Sequence, residues 1–389
     1  MECWHFSEFP YPHFPADEPQ SRINLPSKHF DPAIGADLYN RYLDEHCLAD
    51  ELGLNIMLNE HHQTPTCLNA AAPLSAAILA RQTRNARICI LGNPIAHRND
   101  PIRIAEEMAM VDCISRGRLE CGFVRGVPYE IFASNCNPAE TVDRLWEGVD
   151  LVIRAWTTVD GPFNYEGRFW QRRSINVWPR PLQKPYPRIW ITSSSDTEGV
   201  TRMAERGYVF AIFLQPWTTV KAMFDVYRSH FVERGLPGGG GMAYMPLVFT
   251  GDSEEDAEKG AAELRWYLTG ARSPAHYRSP PGYLPLGAMT RMMRSAALPV
   301  GAQLRGRGLD ALREEGILFY GTPDTMVKQI RAYYDKVGGF DHLLMMQQAG
   351  FMSHERTARS MTLFAKEVYP RIRDLAPTRA TERAKVAAE

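Results

Sequence analysis

Hydrophobic positions along this chain form two kinds of segment, short continuous apolar runs and longer stretches with helical spacing. Runs of the first kind are typical of strands buried on both faces of a parallel sheet. Eight segments have this character: 3–6, 56–58, 87–91, 119–124, 189–191, 208–214, 242–250 and 341–347. Helical spacing marks nine others: 36–52, 69–83, 101–115, 141–156, 198–206, 219–234, 254–268, 324–337 and 355–373. This alternation predicts an α/β fold, a single (β/α)8 TIM barrel over residues 1–375.

Three insertions interrupt the alternation. A proline-rich loop spans Ser7–Pro32, and aromatic residues alternating around a glycine predict a hairpin-like insertion at Phe163–Trp170. An irregular excursion, rich in Pro, Gly and Arg, runs from about residue 269 to residue 317. We expect this excursion to form a lid over the active site. The final segment, 376–389, is predicted to be a frayed tail.

Charge and cysteine content narrow the range of functions. The 389 residues carry a formal net charge of −1, and no basic run precedes the mixed segment Arg379–Lys385. This speaks against nucleic-acid and membrane partners and favours a small-molecule substrate. The seven cysteines include no C-x-x-C pair, and the N-terminus lacks the basic and apolar regions of an export signal. We therefore expect a soluble cytoplasmic protein.

The segment after the second apolar run carries a cluster of titratable side chains, Glu60, His61 and His62. Parallel α/β folds place their chemistry at such strand ends. Because neighbouring strand residues point to opposite sides, Glu60 and His62 should share one side and His61 should face the other. Adjacent histidines do not have metal-ligand spacing, so no metal site is predicted. The alternative is that the histidines are hydrogen-bonded structural residues, which fits His62 better than His61.

Two further features favour an anion site. The hydroxyl-rich segment Thr192–Thr197 directly precedes a predicted helix, where unpaired N–H groups favour negative charge. Alternatively, Ser195 or Asp196 only caps that helix. Arg125 and Arg144 follow the fourth apolar run and offer the fork geometry that suits phosphate oxygens, although each could be a surface ion-pair residue. No G-x-G-x-x-G or P-loop pattern follows any predicted strand.

Together these segments resemble the bacterial-luciferase-like flavin-dependent monooxygenases. No single motif is decisive, but the order and spacing of the motifs are specific, and they cover nearly the whole chain. The resemblance is carried by these segments: Asn59–His62, Gly92–His97, Asp100–Asp112, Ser115–Gly126, Arg144–Gly148, Ser193–Thr197, Gly321–Asp324 and Gly338–His342.

The resemblance implies a barrel, usually dimeric, that holds reduced FMN at the C-terminal rim and uses dioxygen to oxidise a small organic substrate. It further implies a separate NAD(P)H:flavin reductase that supplies the reduced flavin. His61 matches the histidine that acts where the flavin reacts with oxygen, and Glu60 beside it is predicted to be catalytic as well. The remaining matches are flavin-binding positions: Arg125 and Arg144 as phosphate contacts, Ser194 and Thr197 in the hydroxyl loop, Ser193 where luciferase has an acid, and Asn93 in a segment that bends toward the flavin, often through a non-prolyl cis bond.

One departure and two alternatives qualify this hypothesis. Val124 stands where light-emitting members have a reactive cysteine, so light emission is not expected. A deazaflavin-dependent hydride-transfer oxidoreductase of the same superfamily is the first alternative. A non-catalytic flavin-binding protein is the second, and the presence of Glu60 and His61 argues against it.

Overall fold

Strands and helices alternate along the structure, a computed structural model that describes residues 1–13, 25–194, 196–270, 275–278, 280–284, 290 and 304–375. The strands are β1 (Glu2–Ser7), β2 (Asn55–Leu58), β3 (Ile88–Asn93), β4 (Leu119–Phe123), β5 (Phe163–Glu166), β6 (Gln171–Ile175), β7 (Ile189–Thr192), β8 (Val209–Phe213), β9 (Gly241–Met245), β10 (Leu247–Thr250), β11 (Leu318–Gly321) and β12 (His342–Gln348). The α-helices are α1 (Pro32–Glu51), α2 (Ala72–Gln82), α3 (Pro101–Ser115), α4 (Glu130–Ala133), α5 (Thr141–Thr157), α6 (Thr197–Glu205), α7 (Trp217–His230), α8 (Glu254–Gly270), α9 (Ala275–Arg278), α10 (Leu309–Glu314), α11 (Pro323–Val337) and α12 (His354–Leu363).

A closed parallel barrel forms the centre of the fold. Its strands follow the order β1, β2, β3, β4, β7, β8, β9 and β12, and β12 pairs in parallel with β1 to close the ring. The predicted (β/α)8 barrel is therefore confirmed. The strands β5 and β6 form a separate antiparallel pair at the predicted hairpin.

Side-chain alternation along the strands divides the core into two layers. Trp4 and Phe6 of β1 belong to the apolar cluster inside the barrel, together with Met57 and Leu344. Cys3 instead belongs to the cluster between the strands and the surrounding helices. The polar residues that follow the strands are thus left at the C-terminal mouth of the barrel, where barrel enzymes place their active sites.

The N-terminal end of the barrel contains a buried ionic network around Glu120. Arg188 donates to both carboxylate oxygens of Glu120, at 2.7 and 3.1 Å, and Trp190 Nε1 donates to Oε2 at 2.6 Å. Arg87 also forms an ion pair with this carboxylate. A buried charge is tolerated when it is paired and hydrogen-bonded, and Glu120 meets both conditions.

The seventh predicted strand, 242–250, is divided at Pro246 into β9 and β10. Proline has no N–H to donate to a sheet ladder, so regular pairing is interrupted there. Beyond the break, β10 pairs in parallel with β11, a four-residue strand that the hydrophobic pattern did not predict. The barrel therefore carries an added strand beside its seventh position.

Two helix boundaries also differ from the prediction. The helix predicted from residue 36 begins at Pro32, because the Asp31 carboxylate accepts hydrogen bonds from the N–H groups of Ala33 and Ile34. The closing helix predicted over 355–373 is α-helical only to Leu363. It continues as a π-helical turn and a 3₁₀ turn that contains Pro370.

The lid and the tail are described only in part. The predicted tail, 376–389, lies outside the described residues, and the predicted lid is described at 269–270, 275–278, 280–284, 290 and 304–317. Within the described ranges, no helix is both long and apolar enough to cross a membrane.

Candidate active site

The segments that follow β2, β3 and β4 converge at the C-terminal mouth of the barrel. They bring together Glu60, His61, His97 and Glu130, all buried except the partly exposed His61. Glu130 opens the short helix α4, which lies in the segment between β4 and α5. The site is therefore assembled from residues distant in sequence, by adjacent parallel strands.

His61 and Glu130 form the central pair. Nδ1 of His61 lies 3.0 Å from Oε1 of Glu130, and the same oxygen accepts the backbone N–H of His62 at 2.9 Å. Burial alone would raise the pKa of Glu130, but the hydrogen bond and charge of His61 outweigh it, and this pKa lies below its usual range. An ionised carboxylate at Nδ1 fixes the orientation of the imidazole ring and stabilises its protonated form.

Glu60 lies on the other side of the strand, as the alternation predicted. Its Oε1 is 3.2 Å from Nε2 of His62 and also pairs with Arg98. Its Oε2 accepts the N–H of Ala72, the first residue of α2, at 3.0 Å. Glu60 thus holds His62, Arg98 and the start of α2 together, and its catalytic role stays a prediction.

His97 is a site residue to which the sequence reading gave no role. Burial lowers its pKa to about 4, and neither ring nitrogen has a hydrogen-bond partner. Its Nδ1 lies 4.0 Å from Oε2 of Glu130. Gly126 packs so closely on the ring that a Cβ there would lie 2.4 Å from His97 Cε1, and its φ of +85° also favours glycine. His97 is therefore a neutral imidazole beside the His61–Glu130 pair.

The two predicted phosphate arginines lie on this rim with different partners. The Arg125 guanidinium stacks on the ring of Tyr283 at 3.6 Å, and the Tyr283 hydroxyl donates to the Gly126 carbonyl at 2.9 Å. Part of the excursion thus packs directly on the β4 rim. Arg144 donates to the Ala96 carbonyl at 2.7 Å and lies 4.7 Å from the centre of the Trp170 ring. Arg144 is held by backbone and aromatic contacts, whereas Arg125 contacts the excursion.

The predicted anion site lies where β7 leads into α6. Ser194 and Thr197 are exposed, and the Ser193 hydroxyl accepts the Asp196 N–H at 3.3 Å. Asp196 occupies the N-cap position, but its side chain makes no capping hydrogen bond to α6. The capping alternative is therefore not supported for Asp196, and Ser195 lies outside the described residues. The first turn of α6 is available to an anion.

Asn93 is fully buried at the end of β3. Its Nδ2 donates to the Gly122 carbonyl at 3.3 Å, and its Oδ1 has no hydrogen-bond partner. The peptide bond between Leu91 and Gly92 is cis, so the non-prolyl cis bond implied by the resemblance is present just before Asn93.

Two further observations concern metal binding and the location of the site. Among the described residues, no group of three His, Cys, Asp or Glu side chains has the arrangement of a metal site. A cleft of about 460 Å³ lies outside the barrel, lined by His13, Ile34, Asp37, Leu38, Arg41, Asp44 and His354. It contains none of the converging residues described above, so volume alone does not locate the chemistry.

Fold and site together give a (β/α)8 barrel with a histidine–carboxylate pair at its mouth. The family model for luciferase-like monooxygenases matches residues 26–339, and the chain belongs to this family. It is 26% identical over 350 residues to the oxygenase component of a flavin-dependent trigonelline monooxygenase from Acinetobacter baylyi, covering 86% of this chain and 89% of that protein.

Solved structures show the same fold. Monooxygenase RslO1 from Streptomyces bottropensis aligns with a TM-score of 0.71 at 22% identity, over 95% of this chain and 99% of that one. The oxygenating constituent of 3,6-diketocamphane monooxygenase from Pseudomonas putida, in complex with FMN, aligns with a TM-score of 0.66 at 18% identity, over 97% and 99%. An F420-dependent secondary alcohol dehydrogenase also aligns, with a TM-score of 0.66 at 16% identity, over 87% and 95%.

Proposed function

We propose that this protein is the oxygenase of a two-component monooxygenase, which uses reduced FMN and dioxygen to oxidise a small organic substrate. The observation that carries this proposal is the His61–Glu130 pair at the barrel mouth, with Nδ1 of His61 held 3.0 Å from a buried carboxylate. Membership of the luciferase-like family and the named monooxygenase relatives support the reaction class.

The residues present fit FMN at three points. At the first turn of α6, beside Ser194 and Thr197, the N-cap residue Asp196 makes no side-chain capping bond, and this turn suits a phosphate. Arg125 lies on the same rim, and the buried Oδ1 of Asn93 has no partner and can accept an N–H. We assign the phosphate to the α6 turn and Arg125, with Arg144 behind them, and a polar edge of the flavin ring to Asn93. When bound, reduced FMN supplies the two electrons that activate dioxygen.

In this mechanism His61 accepts and donates a proton. Because Glu130 holds Nδ1, the exchange with a ligand takes place at Nε2. Glu130 stabilises the protonated ring, and the neutral His97 keeps positive charge out of this part of the site. Glu130 and His97 are buried while His61 is partly exposed, so His61 is the group that can carry a proton between solvent and the reacting group.

An oxygen-uptake screen tests the proposal. Purified protein receives FMN reduced by an added NAD(P)H:flavin reductase, and candidate substrates are scored by product formation. Without the reductase, the protein should not consume NADH at enzymatic rates, and rapid consumption would contradict the two-component hypothesis.

The phosphate assignment has its own test. Ser194→Ala combined with Thr197→Ala should weaken FMN binding by about tenfold or more, since hydrogen bonds to a charged group are lost. Riboflavin, which lacks the phosphate, should lose little affinity. Equal losses for the two ligands would place these hydroxyls elsewhere.

Hydride transfer with a deazaflavin is the second candidate, because an F420-dependent dehydrogenase shares this fold. Running the same screen with oxidised deazaflavin in the absence of oxygen separates the two, because a hydride leaving the substrate would reduce the deazaflavin. Turnover under those conditions would favour the dehydrogenase. A protein that binds flavin and turns over neither cofactor would be the non-catalytic alternative.

We further propose a homodimer that forms through α2 and α3. These helices pack together, and four of their apolar side chains are exposed: Leu74, Ile78, Met110 and Ile114. Each pair is spaced i, i+4, so each helix presents a continuous apolar face. Ile78→Glu with Met110→Glu should convert the dimer to a monomer in sedimentation equilibrium, and a monomeric wild type would contradict the proposal.

A cytoplasmic location is proposed as well, since none of the seven cysteines, all described, is in a disulfide.

A further inference from the structure

Glu8 is a buried residue at the barrel mouth whose carboxylate has no cationic partner among the described residues. It directly follows β1 and is 2% exposed. Its backbone N–H donates to the Gln348 carbonyl, which ties it to the end of β12. The next residue, Phe9, packs outward against Tyr42 of α1. The Glu8 side chain contacts Asn59, which directly follows β2, so the carboxylate lies between the ends of two neighbouring strands at the mouth.

The hydrogen bonding of Glu8 is incomplete. Asn59 Nδ2 donates to Oε2 at 2.9 Å, and in the described part of the chain this is the one side-chain partner of the carboxylate. Asn59 is itself held by Asn69, which donates to its carbonyl at 2.8 Å. Within the described residues, the Glu8 carboxylate is therefore fixed on one oxygen by a neutral amide, and Oε1 accepts no bond from the protein although it is not fully buried.

The other buried acids show what is missing. Among the described residues, Glu45, Glu60, Glu120 and Glu130 each contact an arginine or a histidine. Asp112 has no cation, but Gln183 donates to both of its oxygens, at 2.8 and 2.9 Å. Glu8 alone of these six has neither. A glutamine would serve the contact with Asn59 equally well, so the negative charge of Glu8 has no use within the described residues.

We propose that Glu8 binds a cationic, N–H-bearing nitrogen of the substrate. A protonated amine would supply both the opposite charge and the hydrogen bond that Oε1 lacks. Asn59 lies two residues before His61, and the Leu68 N–H bonds the Phe9 carbonyl, so Glu8 is fixed against the loop that carries His61. The inference rests on the proposed function, because it takes the barrel mouth to be the substrate site, and it narrows the substrate class to organic amines.

Matched probes test this inference directly. Benzylamine, benzyl alcohol and benzoate share one ring and differ in charge, and their affinities for the full-length protein can be measured by calorimetry with oxidised FMN present. Benzylamine should bind the wild type about tenfold or more tightly than benzyl alcohol, as a charge-assisted hydrogen bond implies. Benzoate should bind most weakly.

Variants show whether Glu8 causes the preference for benzylamine. Glu8→Gln should abolish the preference for benzylamine while leaving FMN affinity and melting temperature close to wild type, because glutamine can keep the contact with Asn59. Glu258→Gln, an exposed change of equal charge on α8, should retain the preference. Glu8→Asp keeps the charge with a shorter reach and should retain part of it.

Three outcomes would overturn the inference: equal binding of benzylamine and benzyl alcohol, no binding of either, or a preference that survives in Glu8→Gln. FMN binding and oxygen uptake are measured separately. An amine preference without flavin turnover would therefore leave Glu8 as an amine-binding residue and refute the monooxygenase proposal instead.

Discussion

The two ends of the barrel differ in how many partners their buried polar groups have. At the N-terminal end, Glu120 has two arginines and a tryptophan N–H on its two oxygens. At the C-terminal end, Glu8 has one neutral donor, and both ring nitrogens of His97 lack a partner. Native proteins satisfy nearly all buried polar groups, so a cluster of exceptions needs an explanation. Arg87 Nε also lacks a partner at the N-terminal end, but the Glu120 carboxylate itself is fully paired by the protein. The difference indicates that Glu120 is satisfied without a ligand, whereas Glu8 and His97 leave positions for one.

The largest expected effect is on chemistry at the mouth. His61→Ala should lower product formation by about 10²- to 10⁴-fold, the range for a removed acid–base group. Folding and FMN affinity should persist, because the ring is partly exposed and contributes little packing. Single-turnover mixing with reduced FMN, oxygen and a substrate from the screen measures the loss.

A control for this variant lies next to it. His62→Ala should reduce stability or flavin affinity instead, since His62 bonds Glu60. Unchanged product yield in His61→Ala would return His61 to a structural role.

The opposite end should respond in stability and not in chemistry. Glu120→Gln leaves the buried Arg188 without its counter-charge and should cost roughly 3–5 kcal/mol of unfolding free energy. Urea unfolding measures the change, and Glu107→Gln, which breaks the exposed pair with Arg103, should alter it little. A loss of activity in Glu120→Gln without a loss of stability would erase the distinction between the two ends.

A smaller effect is expected for Glu130, which acts through His61. Glu130→Gln removes the negative charge at Nδ1 and should reduce product formation by roughly 10- to 100-fold, as for other groups that orient a functional histidine. In a plot of product formation against pH, the transition caused by His61 should move to lower pH, because the protonated ring loses its stabilising partner. Adding Glu130→Gln to His61→Ala should cost little more, and full additivity would contradict the coupling.

The smallest effect concerns pH and stability. His97 has a pKa of about 4 in the folded protein, below its usual value. In the unfolded protein the pKa of this residue is near 6.5, so the unfolded state takes up a proton there before the folded state does. The unfolding free energy should therefore be at its full value above pH 6.5 and should fall as the pH drops toward 4. Urea unfolding between pH 7 and 4.5 should show this decline, and His97→Asn should reduce the slope by about 1.4 kcal/mol per pH unit. An unchanged slope would mean that His97 is not the group responsible.

Strand periodicity predicted the barrel and the opposed directions of His61 and His62, because both follow from local alternation. It could not identify Glu130, which lies 69 residues from His61 on a four-residue helix without periodicity. The pairing depends on which loops meet at the mouth, and this is tertiary information. His97 and Glu8 were not predicted as site residues for the same reason, since a missing hydrogen-bond partner can be recognised only in the folded structure.

The strand β11 was missed for a different reason. Its apolar run is as long as the predicted strands at 56–58 and 189–191, but eight strands already complete a barrel, so a further strand was not expected. The interruption at Pro246 was equally hidden, because an apolar run continues on both sides of it.

The pairing of β10 with β11 has a consequence for how this family can diversify. The segment from 251 to 317 leaves from β10 and returns to β11, and these neighbours are hydrogen-bonded in register, with Leu247 opposite Leu318. The two attachment points are therefore fixed by the sheet and not by the segment between them. Lengthening such a segment costs only about 0.6 kcal/mol per doubling of its length. Insertions in this segment are therefore expected to leave the barrel and its mouth unchanged.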